Sequence, residues 1–163
     1  MIRFFGADID ETDEAKAIPV ICSEIIDKVR VCKAYEDQHC RKDRPQVMTF
    51  KELQQKYEHE PYKTLRTLYQ AFENEFHKLP YSILYKVEAC MMAGMDSSDQ
   101  DYDAFDIGNG DSISLKDYDG LAYYYDIPFN VNEGGNADIC IEYICSKRDL
   151  DKYLSSYLTA SGQ

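Results

Sequence analysis

Five carboxylates crowd into eleven residues at Asp96, Asp99, Asp101, Asp103 and Asp106. Clustered oxygens of this kind are what a hard cation such as Ca²⁺ prefers, but an EF-hand also needs ligands at alternate positions, a central Gly and a closing Glu. The register opening at Asp99 puts Ala104 at the Gly position and Gly110 at the Glu position, and the register opening at Asp101 puts Phe105 at its third ligand position. The segment is therefore expected to be an acidic loop facing water or a partner. Divalent-cation binding by residues 96–106, with a hydrolytic activity built on it, is the alternative.

Thiols and imidazoles offer less. Cys22, Cys32, Cys40, Cys90, Cys140 and Cys145 include no C-x-x-C pair, and Cys140 and Cys145 are five apart, so on a strand they would point to opposite faces. Most sit among apolar residues, where a free Cys behaves as a small buried hydrophobe. His39, His59 and His77 are flanked by polar or charged residues, and there is no G-x-x-x-x-G-K-[ST], G-x-G-x-x-G or G-x-S-x-G signature. The expectation is a protein without cofactor, metal or catalytic residues.

The aromatic run is the sharper signal. Tyr123, Tyr124 and Tyr125 are consecutive, with Tyr118 before and Phe129 after. On a strand, neighbours face opposite sides, so Tyr123 and Tyr125 project outward if Tyr124 packs inward. Tyr combines apolar area with a polar tip and is enriched at protein interfaces. The predicted partner-binding set is therefore Asp99, Asp101, Asp103, Asp106, Asp117 and Asp119 with Tyr118, Tyr123 and Tyr125.

Charge supports that placement. The chain of 163 residues has a formal net charge of −12. Residues 1–14 carry −4, residues 15–95 carry +2, residues 96–138 carry −10 with Lys116 their only base, and the remainder is neutral. Direct nucleic-acid binding, which draws on clustered Lys and Arg, is disfavoured; Arg41, Lys42 and Arg44 surround Asp43 in what reads as a solvated loop. No apolar run approaches the roughly 18 residues of a membrane span, and MIRFFGADIDETDE turns acidic where a signal peptide would be apolar. A cytoplasmic location is expected.

The elements that must position these residues suggest an α+β fold. Ile2, Phe4 and Phe5 form a short strand. Pro19 opens a first helix whose stripe is Ile21, Ile25, Val29 and Cys32. Thr49 and Glu52 have capping-box spacing before a second helix. Leu65, Leu68, Tyr69, Phe72 and Phe76 make a third, and Ile83, Leu84, Val87 and Met91 a fourth that ends near Gly94. Asp119-Gly120 then reads as the turn of a hairpin joining SISLKDY to LAYYYDIPF, with DICIEYIC as a third antiparallel strand. Ser146 and Asp149 repeat the capping-box spacing before a C-terminal helix. The whole is predicted to be a single domain, 1–163, with a helical part over 15–95 and an acidic β-rich part over 96–163.

The stretch Ile25–Asp96 resembles a bacterial helical domain of unknown function, on the pieces EIIDKVRVCKAYED, FKELQQ and KLPYSILYKVEACMMAGMD. That family has an Ala-Leu core and a Gly-Arg-Gly-Asp-like ending, where this sequence has Ala89-Cys90 and Ala93-Gly94-Met95-Asp96. The resemblance implies helices and transfers no functional residue.

Taken together, charge and aromatics point to a non-catalytic interaction protein that occupies a basic, nucleic-acid-binding surface of a partner protein, such as a nucleic-acid-processing enzyme. Phage anti-defence proteins, CRISPR inhibitors among them, and toxin-immunity proteins are settings in which clustered carboxylates beside aromatic anchors would take the place of phosphate and bases.

Overall fold

A computed structural model describes residues 1–40, 48–97, 104–106, 112–129 and 133–163. The chain opens with two strands, not one: β1 (Ile2–Phe4) pairs antiparallel with β2 (Ala7–Ile9), Ile2 opposite Ile9 and Phe4 opposite Ala7. The two turn residues, Phe5 and Gly6, have φ of 49° and 83°, the positive pair a type I′ turn requires. Phe5 is held in this unusual conformation by stacking on Phe72 at 5.7 Å and by donating its N–H to Glu75 Oε1 at 2.8 Å.

Helix α1 (Glu14–His39) starts one turn earlier than Pro19 suggests. The Asp13 carbonyl accepts from Ala17 N at 2.8 Å, so Pro19 lies inside the helix. Its buried stripe includes Ile18, Ile21, Cys22, Ile25 and Val29. Helix α2 (Phe50–Tyr57) carries the expected capping box, Glu52 N donating to Thr49 Oγ1 at 3.2 Å and Thr49 N to Glu52 Oε2 at 3.3 Å. Helix α3 (Tyr62–Glu75) runs into a short 3₁₀ turn, Phe76–Lys78, before α4 (Tyr81–Ser97).

Helix α4 passes through Gly94 instead of stopping there. A Cβ at Gly94 would lie 1.7 Å from the carbonyl oxygen of Tyr153, so this glycine lets two helix backbones touch. Ile83, Leu84, Val87, Ala89, Cys90, Met91 and Ala93 are all essentially inaccessible. A helix apolar nearly all round is one that neighbours surround, and α4 packs against α1 and against the three helices that follow it.

The largest departure from the predicted fold lies beyond residue 97. Strands β3 (Ala104–Asp106) and β4 (Ser112–Ser114) pair antiparallel, so SIS is a strand with a partner upstream of it. The next segment is helix α5 (Tyr118–Tyr124), followed by α6 (Glu133–Cys145) and α7 (Leu150–Ala160). The predicted three-stranded sheet is replaced by this two-stranded ribbon. Asp119-Gly120 is no hairpin turn because Asp117 caps the helix, its Oδ1 accepting from Gly120 N at 3.0 Å. In α6, Cys140, Ile141 and Ile144 are buried whereas Ile139 is 67% exposed: the working period is 3.6, not 2. Ser146 does not cap α7; its hydroxyl donates to Tyr143 O at 2.6 Å, and the N-cap residue of α7, Asp149, makes no side-chain cap bond.

The fold is thus mostly helical α+β, with seven α-helices and two small ribbons among the described residues. One buried apolar cluster runs from Phe4 through α1 and α4 to Tyr157. It is laced by polar contacts: Tyr157 donates to Leu115 O at 2.6 Å, and Lys86, 6% exposed, pairs with Glu14. Asp151, 7% exposed, takes Lys33 Nζ at 2.5 Å. Such pairing is what makes a buried charge tolerable. Among the described residues no helix is long and apolar enough to cross a membrane.

Candidate functional site

Of the residues singled out in the acidic segment, Asp99, Asp101 and Asp103 lie outside the described residues, and Asp106 ends β3 opposite Ser112. The others fall on or beside α5, where the structure sorts them into roles. Asp117 is the cap. Asp119, two residues on, accepts from the Tyr85 hydroxyl at 2.6 Å. The Tyr85 ring stacks on Phe129 at 5.6 Å and lies 5.4 Å from the Lys86 ammonium. Asp119 therefore ties α5 to the second turn of α4. Tyr118 is 8% exposed and belongs to the core together with Leu121 and Ala122; it is not surface.

The three consecutive tyrosines separate as a helix end dictates. Tyr123 is 77% exposed and Tyr124 39%. Tyr125 is half-buried and donates its hydroxyl to Asp96 Oδ2 at 2.6 Å. The rings of Tyr124 and Tyr125 meet edge to face, 4.9 Å apart at 88°. Tyr123 and Tyr124, not Tyr123 and Tyr125, are the outward pair.

Helix α5 ends in a Schellman motif. Ile127 N donates to Ala122 O at 2.9 Å and Asp126 N to Tyr123 O at 3.2 Å, and the residue in the left-handed position is Asp126, with φ 56°. Glycine is favoured there because a Cβ is penalised in that conformation. A carboxylate is also electrostatically unfavourable beside the last helix carbonyls. Asp126 is exposed, as are Asp96, Asp117 and Asp119. Sequence reasoning passed over Asp126, although its place directly after YYY was a signal.

The N-terminal carboxylates differ: most are engaged locally. Asp10 Oδ1 takes both the N–H and the hydroxyl of Thr12 at 3.0 and 2.6 Å, which hold its carboxyl below the usual range. Asp13 faces Lys16 at 3.7 Å and Glu14 pairs with Lys86. Their charge serves the start of α1.

A second group missed from sequence is Glu88, in the middle of α4. Burial pushes its carboxyl up to about 7. Its charge adds to the burial that raises the Cys140 thiol on α6 and the Tyr81 hydroxyl. All six cysteines are free and five are buried; burial raises the thiols of Cys32, Cys40, Cys90, Cys140 and Cys145. Thiols so protonated are poor nucleophiles. Among the described residues, no group of three or more His, Cys, Asp or Glu is placed to hold a metal ion.

The candidate site, then, is a helix end with two exposed tyrosine rings and several exposed carboxylates, hydrogen-bonded to α4 through Asp119 and Tyr85. No family model, no curated protein and no solved structure matches the chain.

Proposed function

We propose that the protein is a non-catalytic interaction protein whose α5 face occupies a basic, nucleic-acid-binding surface of a partner protein. The supporting observation is the 77% exposure of Tyr123 at the end of a helix whose Tyr118, Leu121 and Ala122 are buried in the core, within a stretch whose net charge is −10. A large aromatic left in water costs solubility without adding to the fold, whereas at an interface it is a common energetic anchor. Carboxylates around it steer a positively charged groove and deter nucleic acid. Phage anti-defence or immunity proteins that block nucleic-acid enzymes are the corresponding biological class.

The test uses the full chain as bait in host extract, beside Tyr123→Ala and the combined Asp99, Asp101, Asp103 and Asp106 to Asn variant. A partner held by the parent chain, released by salt, displaced by DNA or RNA and weakened by either variant supports the role. Affinity and salt dependence unchanged in both variants would overturn it.

A further inference from the structure

We infer that Glu88 is a pH-sensitive latch on helix α6: when ionised, it loosens the contact between α4 and α6 and opens Cys140 to solvent while the rest of the core stays closed. This latch is independent of the interaction role proposed above, and its ground is a mismatch within one helix contact. Glu88 and Met92 lie one turn apart on α4. The charge of Glu88 acts on the Cys140 thiol of α6, and the Tyr143 hydroxyl of α6 donates to Met92 Sδ at 3.4 Å. Glu88 is half-buried there and, among the described residues, has neither a hydrogen bond nor an ion pair. The two buried charges of the core are treated differently, Lys86 being paired with Glu14 and Asp151 with Lys33. A carboxylate enclosed without a partner is the costly case.

The groups around Glu88 offer it no compensation. Tyr81 on its own helix and Cys140 on α6 stay neutral near pH 7, burial having pushed the hydroxyl up to about 12 and the thiol well above its ordinary value. Towards α1 the base is Lys86, taken by Glu14; towards α5 the acid is Asp119, held by Tyr85; and Lys33 and Asp151 join α1 to α7. Glu73 of α3 acts on Cys145, at the end of α6. His77, in the 3₁₀ turn, lies 3.9 Å from Asp138 of α6, an attraction that needs a protonated imidazole. Helix α6 is also the cover that can yield: its principal contacts are with α4 and that 3₁₀ turn, and Gly134 and Gly135 weaken its first turn. Packing raises the Glu88 carboxyl from 4.5 to about 7, and release of α6 returns it to water. The packed arrangement therefore has its full advantage below pH 4.5 and loses it as pH rises towards about 7.

The experiment follows alkylation of the native full chain by iodoacetamide, cysteine by cysteine, between about pH 6 and about pH 8.5. Cys90, on α4 and at 0% exposure, is the internal standard: it reports opening of the whole fold, and both thiols react from their open states as thiolates, so the common effect of pH cancels in their ratio. The rate ratio of Cys140 to Cys90 is expected to rise about 5-fold across that range, less than the full shift allows because solvent screens a half-buried carboxyl. Glu88→Gln cannot ionise and should hold the ratio flat, whereas His77→Gln should leave the rise intact. A ratio that does not change with pH in the parent chain overturns the latch, as does a rise that survives in Glu88→Gln or vanishes in His77→Gln. Should Glu88→Gln fold poorly, a carbon NMR titration of the Glu88 carboxyl in the parent decides: a midpoint near 7 accompanied by shifts of the α6 amides supports the latch, and a midpoint near the ordinary 4.5 overturns it.

Discussion

Asp126 violates two local rules at once, occupying a left-handed backbone position and lying beside helix carbonyls with a negative charge. Replacing it with Gly relieves both, and Asp126→Gly is expected to stabilise the fold by about 1 kcal/mol, seen as a rise of about 3 °C in Tm, while weakening partner binding. A residue that costs stability where it stands and improves binding is the signature of a site; a variant no more stable than the parent would remove that reading. Glu88 makes a second prediction. Its carboxyl is raised from 4.5 to about 7 by burial, so between these values the unfolded chain has released a proton that the folded chain keeps. Stability contributed by this group is complete below pH 4.5 and lost as pH rises towards about 7. Glu88→Gln should match the parent near pH 4 in thermal melts and exceed it near pH 8, with the gap opening across that window. The sequence contained the cue: Lys86 and Glu88 are the charges inside the apolar run YSILYKVEACMMAG. Only the fold shows that Lys86 finds a partner in Glu14, while Glu88 sits against α6 without a hydrogen bond among the described residues.

At the scale of elements, legibility followed the uniqueness of the hydrophobic period. Helices α1, α3 and α4 were readable because Ile21, Ile25 and Val29, or Leu65, Phe72 and Phe76, fit 3.6 and nothing else. The cap of α2 was readable because its two bonds are local. Helix α6 was not, since Ile139, Ile141 and Tyr143 alternate as a strand would, while Ala137, Cys140, Ile141 and Ile144 fit a helix equally well. What decides is the surface waiting to be covered: α4 needs a partner on that side, and Cys140, Ile141 and Ile144 supply it. Helix α5 failed for another reason, as Asp-Gly serves a hairpin turn or the first turn of a capped helix, and Asp117 selects the second. The α4–α7 crossing yields the sharpest test at this scale. Gly94→Ala would put a methyl carbon 1.7 Å from the Tyr153 carbonyl oxygen, and because that obstacle is backbone the helices must separate. A loss of about 3 kcal/mol is expected from chemical denaturation; a neutral outcome would mean that the helices do not cross so closely.

Over the whole molecule, charge and core divide the chain differently. Charge suggests a boundary near Met95, with a near-neutral body before it and an acidic part after it. The core does not respect that boundary, because α4 lies before it and is covered largely by α5, α6 and α7, which lie after it. Remove residues 98–163, and Leu84, Val87, Cys90 and Met91, all at 0% exposure in the intact chain, lose much of their cover. Each such side chain contributes about 1.5–3 kcal/mol by its burial, against a total stability on the order of 10 kcal/mol for a domain of this kind. A fragment ending at residue 97 is therefore expected to show helix without a cooperative transition, and the full chain to unfold once, with the far-ultraviolet signal of its helices and the near-ultraviolet signal of its tyrosines changing together. Two separated transitions, or a fragment that melts cooperatively, would make the halves independent domains. The single-unit outcome also constrains the binding face: because α5 is fixed to α4 through Asp119 and Tyr85, the tyrosines are presented by the core itself, and variants that loosen the core should weaken binding in proportion to the folded fraction they leave.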